Sequence, residues 1–244
     1  MTLSPQDAAW LIKETASDQT VLIGGQAVAF WATYFRLSPR IPALTRDIDY
    51  LGTKAAAKSV SQRLKVPHKL SVATLDDATA SVAVLVVPVE GYPEPIIIDY
   101  LASILGVATG DIKKSAVTVE IDNAPLRVMH PLQLLQSKIW NLYILEEKRT
   151  DEGREQARLA IEIAAAYVNK AATTQRELLD AIETIAKFSA TVPSNFARKS
   201  FRLECLDAIP THVFEKNVLP SDFHEKRWPQ LLKANAGFLK GHNR

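Results

Sequence analysis

At Pro131 the hydrophobic pattern of this chain changes period, and that change limits what it can fold into. Before it, apolar β-branched runs at residues 20–23, 81–89 and 96–101 are separated by Gly and Pro, the pattern of strands. The run at 81–89 is apolar throughout, as a strand buried on both faces would be. Residues 47–51 and 68–73 alternate as short strands, and weaker strand signals lie at 116–121 and 126–129. After Pro131, Leu132, Leu135, Ile139, Leu142 and Leu145 recur at helical spacing, followed by Leu159, Ile163 and Tyr167, then Leu178, Ile182 and Ile185. The expected fold is α+β: a mixed-sheet α/β core over residues 1–129, with an appended helical domain over residues 130–244.

Within the first part, Ser4-Pro5-Gln6-Asp7 has the cap, proline and acid that open a helix over 8–16. Residues 26–35 are apolar on nearly all sides, as in a helix pressed on a sheet, and a further helix is expected at 53–64. Residues 36–44 carry Pro39 and Pro42 and read as a loop. In the second part, Pro193 marks a break; helices follow at 194–206 and 221–239, the latter interrupted by Pro229.

Composition excludes several classes. Of 244 residues, 47% are hydrophobic and 23% charged, ordinary values for a globular protein. A net charge of +2 and a pI near 8.6 permit a nucleotide or nucleic-acid partner without demanding one. Cys205 is the one cysteine, which removes intrachain disulfides and cysteine-based zinc clusters; between Leu203 and Leu206 it reads as a small buried apolar residue. The first residues are polar and acidic rather than signal-like, and no apolar run is long enough to span a bilayer, so the expected location is the cytoplasm. His68, His130, His212, His224 and His242 show no metal-ligand spacing, and His130 before Pro131 reads as a helix cap.

The chemistry concentrates in Thr45-Arg46-Asp47-Ile48-Asp49-Tyr50-Leu51. In a strand, Asp47 and Asp49 project to one face, and two like charges so close call for a cation between them. Hard carboxylate oxygens suit Mg2+ or Mn2+. Asp99 lies inside the apolar run Ile96-Ile97-Ile98-Asp99-Tyr100-Leu101, where an unpaired charge is costly. If that strand neighbours the first, three carboxylates converge. They could then hold two divalent cations about 4 Å apart for in-line attack at phosphorus. Gly24-Gly25, after a buried strand and before a helix, offers backbone N–H groups to phosphate, without P-loop or dinucleotide spacing.

Gly24-Gly25, Asp47-Ile48-Asp49 and the later Asp99 together resemble the nucleotidyltransferase superfamily typified by DNA polymerase beta. Thr45, two residues before the first Asp, makes the chain most similar to the AbiEii-type toxins of bacterial toxin–antitoxin systems. In that group a Lys or Arg of the helical half binds nucleotide phosphates, and Lys138 matches the position. The resemblance implies a mixed-sheet nucleotidyltransferase core with a helical domain. It implies catalytic and metal-binding roles for Asp47, Asp49 and Asp99, and nucleotide-binding roles for Gly24, Gly25, Thr45 and Lys138. The implied reaction is magnesium-dependent transfer of a nucleoside monophosphate from an NTP such as ATP to an acceptor, RNA such as a tRNA end or a protein. A cognate antitoxin would then be a partner. Asp151 and Glu155 are the nearest candidates for the further acid that such proteins often carry after the Lys.

Two other readings stand beside this one: transfer to a small molecule such as an antibiotic, and a non-catalytic binding module on the same fold. Individual signals also have plainer explanations. Lys138 fits a solvated helix lysine equally well, and Arg46 fits an ion pair with a carboxylate better than a phosphate contact. Residues 146–152, of mixed sign, read as a solvated helix end and turn. The late basic cluster around His224, Lys226, Arg227 and Trp228, with Lys233, Lys240 and Arg244, reads as a basic helix before it reads as an RNA contact.

Overall fold

Val21, Leu22 and Ile23 carry no group that needs water, and in the computed structural model they form a fully buried central strand, β1. The structure describes residues 3–40, 45–74, 77, 79–121, 124–171, 174–215 and 219–240. Residues 41–44 of the expected loop, together with His242 and Arg244, lie outside them.

Six further strands join β1: β2 (Ile48–Leu51), β3 (Lys69–Val72), β4 (Ser81–Val87), β5 (Ile96–Leu101), β6 (Val117–Ile121) and β7 (Ala124–Val128). Their order is β3-β4-β5-β2-β1-β7-β6. The sheet is mixed: β2 runs parallel to β5 and β1 parallel to β7, while the remaining pairs are antiparallel. In the central parallel pair Asp49 stands opposite Asp99, with Ile48 opposite Ile98 and Tyr50 opposite Tyr100. The condition set on the two acidic strands, that they be neighbours, is therefore met in register.

Alternation does the rest. Ile48, Tyr50, Ile98 and Tyr100 are fully buried on one face of this pair, which leaves Asp49 and Asp99 to the other. Tyr50 and Tyr100 stack with ring centroids 5.6 Å apart, and the Tyr50 hydroxyl meets Thr15 Oγ1 at 3.1 Å. That face is covered by α1 (Pro5–Thr15), whose start is capped as expected, Ser4 Oγ accepting from the Asp7 N–H. Below it α3 (Lys54–Arg63) buries Ala57 and Val60 in the same cluster. Full burial of an aliphatic side chain contributes about 1.5–3 kcal/mol, so this cluster is the main stabiliser of the sheet.

The helix α2 (Gly24–Tyr34) starts directly on Gly24, with no turn between strand and helix. Gly24 itself has φ +68, which lets the chain swing from β1 into the helix without extra residues. Trp31 of α2 donates from Nε1 to the Met129 carbonyl at 2.8 Å, fixing the helix to the end of β7. A short helix, α4 (Thr109–Ser115), was not expected from sequence.

The C-terminal helices follow: α5 (Pro131–Ile144), a 3-10 turn at Glu146–Lys148, α6 (Asp151–Ala171), α7 (Gln175–Ser189), α8 (Val192–Phe201) and α9 (Trp228–Lys240). His130 caps α5, its ring nitrogen accepting from the Leu132 N–H. The apolar stripes of these helices meet in a second cluster that includes Leu135, Ile139, Ile182, Ile185 and Cys205. Leu134, Leu159 and Ile163, by contrast, pack with the sheet, so α5 and α6 touch both clusters. The result is α+β, a mixed-sheet core with a set of C-terminal helices.

The break expected at Pro193 is present, between α7 and α8, whereas Pro229 behaves differently from expectation. Pro193 opens α8 in its first turn, where its missing N–H costs nothing. Pro229 does not interrupt the last helix; a π turn at Phe223–Arg227 precedes it and accommodates the residue that cannot donate to the preceding turn. No helix among the described residues is long and apolar enough to cross a membrane.

Candidate active site

A cavity of about 720 Å³ opens where the C-terminal ends of β1 and β5, the start of β2 and the helices α5 and α6 meet. All seven residues singled out from the sequence line it: Gly24, Gly25, Thr45, Asp47, Asp49, Asp99 and Lys138. They converge because the parallel register sets Asp49 beside Asp99 and Asp47 lies two residues before Asp49. Lys138 reaches the same space from α5.

The three acids are held differently. Asp49 sits deepest, and burial pushes its carboxyl above the ordinary value; Lys138 pulls it back, while Asp99 and Asp47 push it up again. Asp99 is also raised, first by burial, against a hydrogen bond from the Ser81 hydroxyl and one from the backbone. Lys138 is buried, and desolvation pushes its ammonium down to about 8 against the opposing pull of Asp49. Its Nζ donates to Gln156 Oε1 at 2.7 Å. Lys138 is therefore no solvated surface lysine.

Gly24 and Gly25 have roles beyond offering N–H groups. A Cβ on Gly24 would overlap Asp49 Oδ2 and stand 2.8 Å from its Cγ, so only glycine lets the Asp49 carboxylate lie against the start of α2. A Cβ on Gly25 would fall 2.5 Å from the Thr45 Cβ and 3.0 Å from Gln156 Nε2. Thr45 in turn donates to the Asp47 carbonyl at 3.3 Å, bracing the approach to β2.

Among the described residues, no group of three or more His, Cys, Asp or Glu side chains stands close enough together to hold a metal ion. The expected carboxylate cage is thus not closed. Asp49 lies against Gly24, and Asp99 is drawn to Ser81, so the acids share a cavity without sharing a point. In donor chemistry and charge they still fit a hard cation. Two of them are desolvated carboxyls that repel each other and would gain from a positive ion.

Several lining residues were not anticipated. Glu147, Lys148, Thr150, Glu152 and Gly153 bring the charged run 146–152 to the cavity wall, while all of the run except Arg149 stays solvent-exposed, as expected of a helix end and turn. A Cβ on Gly153 would overlap the Lys148 carbonyl, so glycine allows the 3-10 turn to close on α6. Gln156 also lines the cavity; set among Arg154, Glu155 and Arg158, it gives no sequence signal of its own. Neither candidate for the further acid does. Asp151 pairs with Arg154 at the surface, its side chain 86% exposed.

Glu155 is buried and faces away from the cavity, where it accepts from Arg158 at 2.6 and 2.7 Å and from the Arg40 N–H at 2.6 Å. It therefore ties the segment leading to Thr45 onto α6. Glu155→Ala should lower stability by about 2 kcal/mol, the worth of a charge-assisted hydrogen bond, because Arg158 keeps Glu162 as a partner. A urea midpoint unchanged from wild type would contradict this.

Other charged candidates are committed elsewhere. Arg46 pairs with Glu94 at 2.6 Å, the carboxylate partner anticipated for it. In the late basic cluster, Arg227 makes two hydrogen bonds of 3.0 Å to Glu183, and Lys226 pairs with Asp222 at 2.9 Å. Trp228 packs against Phe214 and Phe223.

No family model matches the chain, and no curated protein matches it in sequence. Two crystal structures from Helicobacter pylori resemble it in outline. One, a candidate nucleotidyltransferase, is 14% identical with a TM-score of 0.41, covering 98% of this chain and 96% of that one. The other, JHP933, is 14% identical with a TM-score of 0.39, covering 99% and 94%. Likeness at this level carries no functional argument, which rests on the cavity itself.

Proposed function

We propose that the protein is a nucleotidyltransferase that moves a nucleoside monophosphate from an NTP to an acceptor, using Mg2+ or Mn2+. The observation that carries this reading is the register of Asp49 with Asp99 on neighbouring parallel strands, with Asp47 and Lys138 in the same cavity. Asp47, Asp49 and Asp99 would hold the cation, which when bound supplies charge neutralisation for the phosphates and a polarised acceptor oxygen. Lys138 and the N–H groups at Gly24 and Gly25 would bind phosphate.

In the transfer, an acceptor oxygen forms a bond to the α-phosphorus while the bond to the bridging oxygen of the β-phosphate breaks. Pyrophosphate leaves with that electron pair. The acceptor's proton passes to Asp99, the more open of the two paired carboxyls. RNA, such as a tRNA end, or protein serves as acceptor in the toxin-like form of this reading, with a small antitoxin as partner.

One observation favours a second acceptor class. The cavity wall carries five carboxylates, Asp47, Asp49, Asp99, Glu147 and Glu152, against three cations, Arg46, Lys138 and Lys148. An acid-rich wall suits an amine-bearing small molecule such as an aminoglycoside.

The same excess predicts how binding depends on metal. Because the carboxylate shell is open and negative, NTP alone should leave the melting temperature unchanged. NTP with Mn2+ should raise it by about 5–10 °C at a hundredfold excess over Kd. Labelled NTP should then be transferred to total RNA, total protein or an aminoglycoside panel, which separates the acceptor classes. No joint shift and no transfer with any of the four NTPs would leave a non-catalytic binding module as the better reading.

A further inference from the structure

Gln156 occupies a position that the chemistry above does not use. Its Oε1 accepts from Lys138 Nζ at 2.7 Å, and its Nε2 is directed at the Gly25 and Thr45 side of the cavity. One planar amide thus spans the residue proposed to bind phosphate and the helix start that would cradle it. The neighbour Glu155 locks that stretch of α6 to the segment before Thr45 through the Arg40 N–H. The amide is therefore fixed from behind while it faces the cavity.

The partner's chemistry matters as much as its place. A buried lysine needs an acceptor, and carboxylates are plentiful in this cavity. An amide carbonyl satisfies the ammonium without cancelling its charge, whereas a carboxylate would neutralise it and add a negative group near Asp49. We propose that Gln156 is a positioning residue that holds Lys138 in place by a neutral hydrogen bond, leaving its charge for the polyphosphate of a nucleotide. This rests on the nucleotidyltransferase reading for the identity of the ligand, but not for the hold on Lys138.

The experiment compares Gln156→Met and Gln156→Glu with wild type in the 244-residue chain. The probe is inorganic tripolyphosphate with Mn2+, measured by calorimetry, and each protein's urea midpoint is measured without ligand. Gln156→Met keeps the size but removes the acceptor; its midpoint should fall and its tripolyphosphate affinity should drop about 10-fold. Gln156→Glu keeps an acceptor oxygen but adds charge; its affinity should drop about 100-fold, further than that of the Met variant. Wherever transfer is measurable, the loss should appear in KM for NTP more than in kcat.

The order of the two variants decides the matter. A residue that merely props Lys138 would be better replaced by Glu than by Met, so Glu binding more tightly than Met overturns the proposal. An unchanged midpoint for Gln156→Met overturns it too, because Lys138 would then not depend on the amide. If wild type bound no tripolyphosphate, the nucleotide reading and the ligand assigned to Lys138 would fall together, while the ligand-free midpoints would still decide whether Gln156 holds the lysine.

Discussion

Asp49→Asn is expected to abolish transfer while making the metal-free protein more stable. The loss of activity should be about 10³-fold or more, the scale on which enzymes lose rate when a key charge-stabilising group is removed. The gain in stability follows from the cavity. Asp49 is the deepest of three mutually repelling carboxyls, and burial together with Asp99 and Asp47 holds its pKa above 3.8 in spite of Lys138. A carboxyl whose folded pKa is raised binds more protons folded than unfolded, so its contribution to stability falls as pH rises above about 3.8 and is unfavourable at neutrality. Asn removes that penalty at nearly constant shape. An increase of about 1 kcal/mol at pH 7, or about 2–4 °C in a chain of this size, should result. The difference from wild type should shrink as pH is lowered toward 3.8, because wild-type Asp49 then becomes neutral. Saturating Mn2+ and NTP should reverse the ranking, stabilising wild type and not the variant. Thermal denaturation across pH, with and without the ligands, tests all three statements. An Asn variant less stable than wild type at pH 7 without metal would show that Lys138 outweighs the repulsion.

Strand positions were legible because each strand carries its own evidence. The runs 20–23, 81–89 and 96–101 are apolar and bounded by turn formers, and Asp47 and Asp49 alternate with Ile48 and Tyr50. Whether Asp99 would stand beside Asp49 was conditional, because strand order depends on long-range pairing that no local pattern encodes. The helix α4 escaped for the opposite reason: seven residues with Ile112 as the buried one give no periodicity to read. In the cavity, residues that differ from their surroundings were visible: an acid in an apolar strand, or two glycines before a helix. Gln156 and Lys148 were not. Gln156 lies 18 residues from Lys138, and the hydrogen bond between them depends on how α5 and α6 pack. Lys148 sits in a run of mixed charge whose sequence resembles any solvated turn, and the close approach of Gly153 to its carbonyl helps fix it at the wall. The unclosed carboxylate cage has a similar origin. Alternation and register place Asp49 and Asp99 on one side, but Asp47 stands in the bend before β2, and the contacts that set the other two apart, Gly24 against Asp49 and Ser81 of β4 on Asp99, come from distant parts of the chain.

Gly24→Ala should damage both fold and site, and the way it does so separates two roles for the glycine. The residue has φ +68, where an L-residue is strained by about 1–2 kcal/mol. In addition the new Cβ would overlap Asp49 Oδ2, a carboxylate already packed against buried surroundings. Strain and displacement together should lower stability by about 2–4 kcal/mol, or about 4–16 °C. If Gly24 served only to bind phosphate, the damage would be confined to nucleotide affinity. Its contact with Asp49 predicts instead that metal-dependent stabilisation is lost along with it, because the carboxylate must move. Gly25→Ala meets Thr45 Cβ at 2.5 Å and not an acid, so it should weaken activity while retaining more of the Mn2+ response. Gly24→Ala combined with Asp49→Gly provides the decisive comparison. Removing the carboxylate opens the space that the Cβ needs, so Gly24→Ala should cost less in the Asp49→Gly background than in wild type. The difference should be about 1–2 kcal/mol in a double-mutant cycle read from urea unfolding. Additive losses would mean that Gly24 is required for its backbone angle alone, and that the approach of Asp49 to it is incidental.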